Sequence, residues 1–193
     1  EAARHLCDPF FLARLDELAD GLADRGYDLL LSRVIPETPG WLEDKVDTGR
    51  VDGVILIGQS DQFEAIEAVA GRYLPLVAWG ALAEGQVHCS VGTDNRKGGA
   101  LAASHLLERG ARRFAFLGDP VSLEVRHRLA GAREVLAEAG LADRLEVVPA
   151  HLAGGTAHPE IAAWLAGLDT VPDGIIAASD VLALAAVRAL AER

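Results

Sequence analysis

Nucleophilic catalysis needs a serine or cysteine beside a base, and the sequence offers Ser90, Ser104, Ser122, Ser179, Cys7 and Cys89 as nucleophiles. None of the serines sits in a G-x-S-x-G elbow, the strained turn that lifts a hydroxyl to the top of a sheet. There is no G-x-x-x-x-G-K-[ST] loop and no strand-linked G-x-G-x-x-G, so the usual backbone cradles for phosphate are missing. His5, His88, His105, His127, His151 and His158 do not share a helix face at metal-ligand spacing. No catalytic residue, metal or cofactor is expected, and a small α/β enzyme is the least supported reading. What stands out instead is a binding group. Arg128 leaves a helix whose apolar face is set by Val125, Leu129 and Ala132, and its guanidinium offers five fixed donors to sugar hydroxyls or a carboxylate. The alternative is a solvated arginine paired with Glu124 or Glu134. Trp79, at a strand end, and Phe10 and Phe11, in the first turn of a helix, are core candidates by residue type.

The elements that must hold these residues alternate between strand and helix. Around Arg128, residues 91–93 end a strand, Asp94 and Asn95 are capping types, residues 98–107 read as a helix, and Gly110 stops it. Residues 113–117 make the next strand, Gly118-Asp119-Pro120 a turn, and then comes the helix with Arg126, Arg128 and Gly131. Ligands of open α/β sheets bind at such C-terminal strand ends. Upstream, Asp8 caps and Pro9 opens a helix with Leu12, Leu15, Leu18 and Leu22 on one stripe, ended by Gly26. Residues 27–31 read as a buried strand, 41–46 as a short helix, 51–57 as a strand. A helix with Phe63, Ile66 and Val69 follows, then a strand at 74–79 and a loop at 81–86. Downstream, Val125, Leu129, Ala132, Leu136 and Ala139 make one amphipathic helix closed by Gly140. Residues 145–148 are a strand, Gly154-Gly155-Thr156 a flexible loop, and Pro159 starts a helix with Ile161, Trp164 and Leu168 inward. Residues 174–178 form the last strand before a final helix over 181–191. The Gly98-Gly99 pair reads as close packing. This is the periodicity of doubly wound βα units.

Length allows one large domain or two small ones, and 50% hydrophobic residues without low-complexity segments make the chain globular. No apolar run reaches the length of a membrane span, and no export signal opens the chain. Cys7 and Cys89 are widely separated, which fits buried or partly buried free thiols in a reducing cytoplasm. A net charge of −11 repels phosphate, so the chain is not expected to bind nucleic acid unaided.

The ordered series Val91-x-x-Asp94-Asn95, Gly99, His105-Leu106-Leu107, Gly110, Phe116-Leu117-Gly118 and Arg128-Leu129-Ala130-Gly131 resembles the lactose/galactose-repressor (LacI/GalR) family in its effector-binding region. Asp8-Pro9-Phe10-Phe11, Arg25-Gly26-Tyr27-Asp28, Val51-Asp52-Gly53-Val54-Ile55, Pro172-Asp173 and Ala178-Ser179-Asp180 extend the likeness over nearly the whole chain. The resemblance implies two doubly wound parallel-sheet lobes joined by a hinge, as in periplasmic sugar-binding proteins. Residues 1–93 would form most of the N-terminal lobe and 94–193 most of the C-terminal one. The sequence opens on a helix with no strand before it and stops on a helix, so this fold is expected to be incomplete at both ends.

By the same resemblance the effector contacts fall on Phe10, Phe11, Trp79, Arg128, Ser179 and Asp180. Arg128, three residues before Gly131, matches the family's effector-contacting arginine. Gly80 stands where relatives often carry an acidic residue, and Ser179-Asp180 where many have Asn-Asp. Asp180 is either a helix cap or a ligand contact. The implied protein is a cytoplasmic, homodimeric transcription regulator that senses a sugar or related small molecule. Operator DNA would be reached only through a helix-turn-helix segment absent from this sequence, and no membrane is involved. The alternative is a periplasmic sugar-binding protein of a transport system, which would need an export signal. The Arg112-to-Phe116 strand and Asp94-Asn95 fit the regulator better.

Overall fold

The computed structural model describes residues 9–34, 38, 40–57, 62–151 and 154–193, with the side chains of residues 9, 10 and 154 left aside. The expected Asp8 cap, Cys7 and the Phe10 side chain lie outside the described residues. The chain divides into two compact units, Glu1–Val54 and Ile55–Arg193.

The first unit carries α1 (Pro9–Ala23) and α2 (Trp41–Val46). α1 stops at Gly26, whose φ of 77° suits only a residue without a Cβ. α2 is the short helix that the pattern predicts, with Leu42 and Val46 buried. The strand expected at residues 27–31 does not form. Tyr27, Leu29, Leu30 and Leu31 are exposed, at 53%, 40%, 69% and 54%. Apolar residues alone do not make a strand; a ladder partner is required, and none of the described strands pairs with this run.

The second unit holds two three-stranded sheets. One contains β1 (Val54–Ile57, opening at the unit's border), β2 (Leu76–Trp79) and β3 (Cys89–Val91), in the order β1-β2-β3, with α3 (Phe63–Ala70) between β1 and β2. β2 and β3 run parallel, with Trp79 opposite Val91. α3 buries Ile66, Val69 and Ala70, the stripe that its spacing predicts. Cys89 is a free, exposed thiol, which corrects the expectation of a buried or partly buried one. It falls on a short strand where Ser90 alone is partly covered.

α4 (Asn95–Glu108) then leads into the second sheet, in which β4 (Phe114–Leu117) lies between β5 (Leu145–Val148) and β6 (Gly174–Ala177), all parallel. Every residue of β4 is buried, as expected for a parallel strand covered on both faces. α5 (Leu123–Glu138) and α7 (Asp180–Ala191) follow β4 and β6, and α6 (Gly154–Ala166) links β5 to β6. The core is built from Phe114, Phe116, Leu136, Ile161, Leu165 and Leu182. The parallel α/β class is thus the one predicted.

Two local expectations change here. Gly154-Gly155-Thr156 is the opening turn of α6 and not a loop, and Pro159 lies inside that helix. Ala157, Ile161 and Leu165 are spaced by four and all buried, so the core stripe begins a turn earlier than Pro159 suggested. The N-cap of α7 is Ser179, whose hydroxyl accepts the Leu182 amide at 3.3 Å, and Asp180 is the first helical residue.

α4 and α5 cross at very short range. A Cβ on Gly99 would lie 1.8 Å from the Arg128 carbonyl oxygen, and one on Gly131 1.8 Å from that of Arg96. The close packing expected at Gly98-Gly99 therefore belongs to Gly99; Gly98 has nothing within 4 Å.

Candidate ligand-binding site

Three strand ends approach one another in the second unit. The Ala178 amide, just past β6, donates to the last carbonyl of β4, Leu117, at 2.8 Å. After β4 the chain turns through Asp119, whose Oδ1 accepts the Val121 amide at 3.2 Å, to Ser122, which caps α5 through the Val125 amide at 3.4 Å. Glu124, in the first turn of α5, accepts the amide of Ala81 at 3.3 Å, which brings the chain beyond Trp79 to the same helix end.

Arg128 sits one turn further along α5, on the face it shares with Glu124. It is half-buried. Its Nε donates to Asn95 Oδ1 at 2.9 Å, and its Nη1 makes a short hydrogen bond to the Ala178 carbonyl. Nη2 has no protein acceptor among the described residues. The ion-pair partners considered from sequence are engaged otherwise: Glu134 is held by Arg96, through Nε at 2.8 Å and through Nη2, and Glu124 by Ala81.

Of the other predicted contacts, Ser179 is half-buried beside Ala178, and Asp180 is exposed. Trp79 ends β2, half-buried. Phe11, half-exposed, and the backbone of Phe10 belong to α1 in the first unit. The structure thus brings Arg128 to the segment 178–179. Sequence reasoning missed Asn95 as its partner, having read the Asp94-Asn95 pair as two caps. Only Asp94 caps α4, accepting the Lys97 amide at 2.9 Å, while Asn95 is 5% exposed and turned inward. The Ala178 carbonyl carries no sequence signal at all.

The loop before β3 is tied to α3 by Glu67, whose carboxylate accepts the Val87 amide at 2.8 Å, the His88 amide at 3.3 Å, and a short hydrogen bond from His88 Nδ1. Burial pushes the Glu67 carboxyl up, but the three hydrogen bonds outweigh it and hold it below its ordinary value. Elsewhere the Arg113 side chain and the amides of residues 112 and 113 lower Asp173.

Two surface depressions lie away from Arg128. One of about 290 Å³ opens among Arg113, Arg144 and Pro172; a groove of about 660 Å³ runs along α5 past Arg126, Leu129 and Arg133 beside Val147. The first is lined by Asp143 and Glu146 as well as its arginines and the second by Glu134 as well as its own, and Arg128 lines neither. Among the described residues no three His, Cys, Asp or Glu side chains are grouped to hold a metal, and no helix is long and apolar enough to cross a membrane.

Residues 103–193 match the periplasmic binding protein-like domain. The chain is 31% identical over 95% of its length to the HTH-type transcriptional regulator CelR of Thermobifida fusca, and covers 55% of that protein. It is 28% identical over 96% of its length to the HTH-type transcriptional repressor PurR of Actinobacillus pleuropneumoniae, covering 56% of it. The chain therefore spans about half the length of these curated relatives. A LacI family transcriptional regulator from Enterococcus faecium, solved with bound ribose, shares the fold: its TM-score is 0.79 at 24% identity, over 98% of this chain and 70% of that one. The chain is thus similar over nearly its whole length to curated transcription regulators, and it shares the fold of the ribose-bound structure.

Proposed function

We propose that this chain is the effector-sensing part of a DNA-binding transcription regulator, and that it takes a small sugar or polyol between two lobes, residues 1–93 and 94–193. One observation carries the ligand reading: a guanidinium held between the start of α4 and the end of β6 with Nη2 left for an outside acceptor. Such a group fits hydroxyl recognition and needs no bond-making partner. Trp79 would supply an apolar face for the ring's C–H groups. Ser179 and Asp180 complete the proposed lining in the second unit, and Phe10 and Phe11 are proposed as effector contacts by the family resemblance alone. Closing the lobes on ligand would shift an equilibrium between two spacings of the DNA-reading segments.

The whole protein is read as a cytoplasmic homodimer on a two-fold operator. Its dimer contact would draw on exposed apolar residues such as Leu82 and Val87, 71% and 69% exposed. Sedimentation of the full-length protein as a monomer at micromolar concentration would remove that part. Calorimetry of the full-length protein against neutral pentoses and hexoses, D-ribose first, tests the ligand. A charged hydrogen bond contributes about 1.5–3 kcal/mol, so Arg128→Ala is expected to weaken binding roughly ten- to a hundredfold. An unchanged dissociation constant removes Arg128 from the site, and no binding of any sugar by folded protein removes the sugar reading.

A further inference from the structure

We infer that Asn95 and Gly99 of α4 are positioning residues for Arg128: together they hold the guanidinium so that Nη2 is the terminal nitrogen presented outward. This rests on the proposed effector site for its purpose, but not for its geometry.

An arginine side chain is long and rotamer-rich, so a fixed presentation needs fixed partners. Asn95 is one. Its Nδ2 donates to the Thr93 carbonyl at 3.1 Å while its Oδ1 accepts from Arg128 Nε at 2.9 Å. A carbonyl can only accept and a guanidinium can only donate, so both neighbours select the same orientation of the amide. At 5% exposure Asn95 has little access to solvent as a substitute. It does not cap its own helix, a task Asp94 performs.

Gly99 is the other. It lies four residues from Asn95, on the same face of α4. A Cβ there would meet the Arg128 carbonyl oxygen at 1.8 Å and its Cα at 2.9 Å. The Arg128 backbone therefore reaches α4 one turn from Asn95 only because residue 99 has no side chain. The reciprocal contact of Gly131 with Arg96 fixes the crossing from the other side. Ala178, at the end of β6, supplies the second acceptor.

The test is the Arg128 side-chain Nε–H resonance in ¹H–¹⁵N spectra of the protein, assigned by its loss in Arg128→Lys. Hydrogen exchange at that site is expected to be slower than at the exposed Arg126 and Arg133 by about tenfold or more, the factor that one charge-assisted hydrogen bond supplies. Asn95→Leu is expected to abolish the protection, and Asn95→Asp, which keeps an acceptor, to restore it. Gly99→Ala is expected to shift the resonance. A wild-type Arg128 Nε–H exchanging as fast as those of Arg126 and Arg133 overturns the inference without any variant, as does full protection in folded Asn95→Leu. No sugar is present in these measurements, so a failed sugar titration overturns the proposed effector and leaves the positioning result standing. Where a sugar binds, Asn95→Leu is expected to weaken it as Arg128→Ala does, with rescue by Asn95→Asp.

Discussion

Gly99 has no side chain where the Arg128 carbonyl occupies its place: a Cβ there would lie 1.8 Å from that oxygen. Its neighbour Gly98 is exposed, with nothing within 4 Å, so adjacent glycines of one helix serve opposite purposes. Gly99→Ala must push α5 away and is expected to destabilise by about 2 kcal/mol or more, in line with overpacked cores. Gly98→Ala removes only unfolded-chain entropy and is expected to stabilise by roughly 0.5–1 kcal/mol. Urea unfolding of the two variants measures both. Equal effects would mean that the crossing yields easily.

Ser179, and not Asp180, caps α7. Ser179→Ala leaves the Leu182 amide without its acceptor and is expected to cost about 1 kcal/mol. Asp180→Ala removes only a charge near the helix N-terminus, worth roughly 0.3–1 kcal/mol at low salt. In urea at high salt the Asp180 effect should fade and the Ser179 effect should stay. The reverse order would assign the cap to Asp180.

The Glu67–His88 contact makes a pH-dependent contribution. The folded-state pKa of Glu67 lies below its ordinary value of 4.5, so its stabilisation is present above that value and lost as pH falls through the lowered one. The Glu67 side chain is 19% exposed and that of His88 is 0% exposed, which limits solvent screening. Glu67→Gln is expected to be less stable than wild type at pH 7, with the gap narrowing below pH 4.5. A gap that stays constant as pH falls well below 4.5 would show that this carboxylate is not the source. Protection of the Val87 amide should decline over the same range.

The isolated 193-residue chain is expected not to bind duplex DNA. Its 29 acidic residues outnumber 18 Lys and Arg. The densest basic cluster, Arg109, Arg112 and Arg113, is partly neutralised, with Arg113 paired to Asp173 at 3.1 Å. Duplex binding depends on several simultaneous phosphate contacts, each releasing a counterion. An anisotropy titration at low salt showing salt-sensitive micromolar binding would break the division between an acidic sensor and a separate basic reader.

What the sequence alone determined is whatever depends on neighbours along the chain. Asp94 before α4, Gly26, Gly110 and Gly140 after helices, and the unbroken apolar run of β4 are local signals, because capping, positive φ and burial period act within one or two turns. The βα alternation and the series of residues around Arg128 followed from them. Tertiary structure decided the rest. Residues 27–31 had the composition of a strand but no partner strand among the described residues, and Ala157 drew Gly154–Thr156 into α6 by joining a buried stripe. The acceptors of Arg128 lie 33 and 50 residues away, one an amide that reads as a cap and the other a backbone carbonyl. A guanidinium's donors are written in its residue type. Which acceptors they meet is set by how closely two helices cross, and that distance is a property of Gly99 and Gly131 packed against backbone.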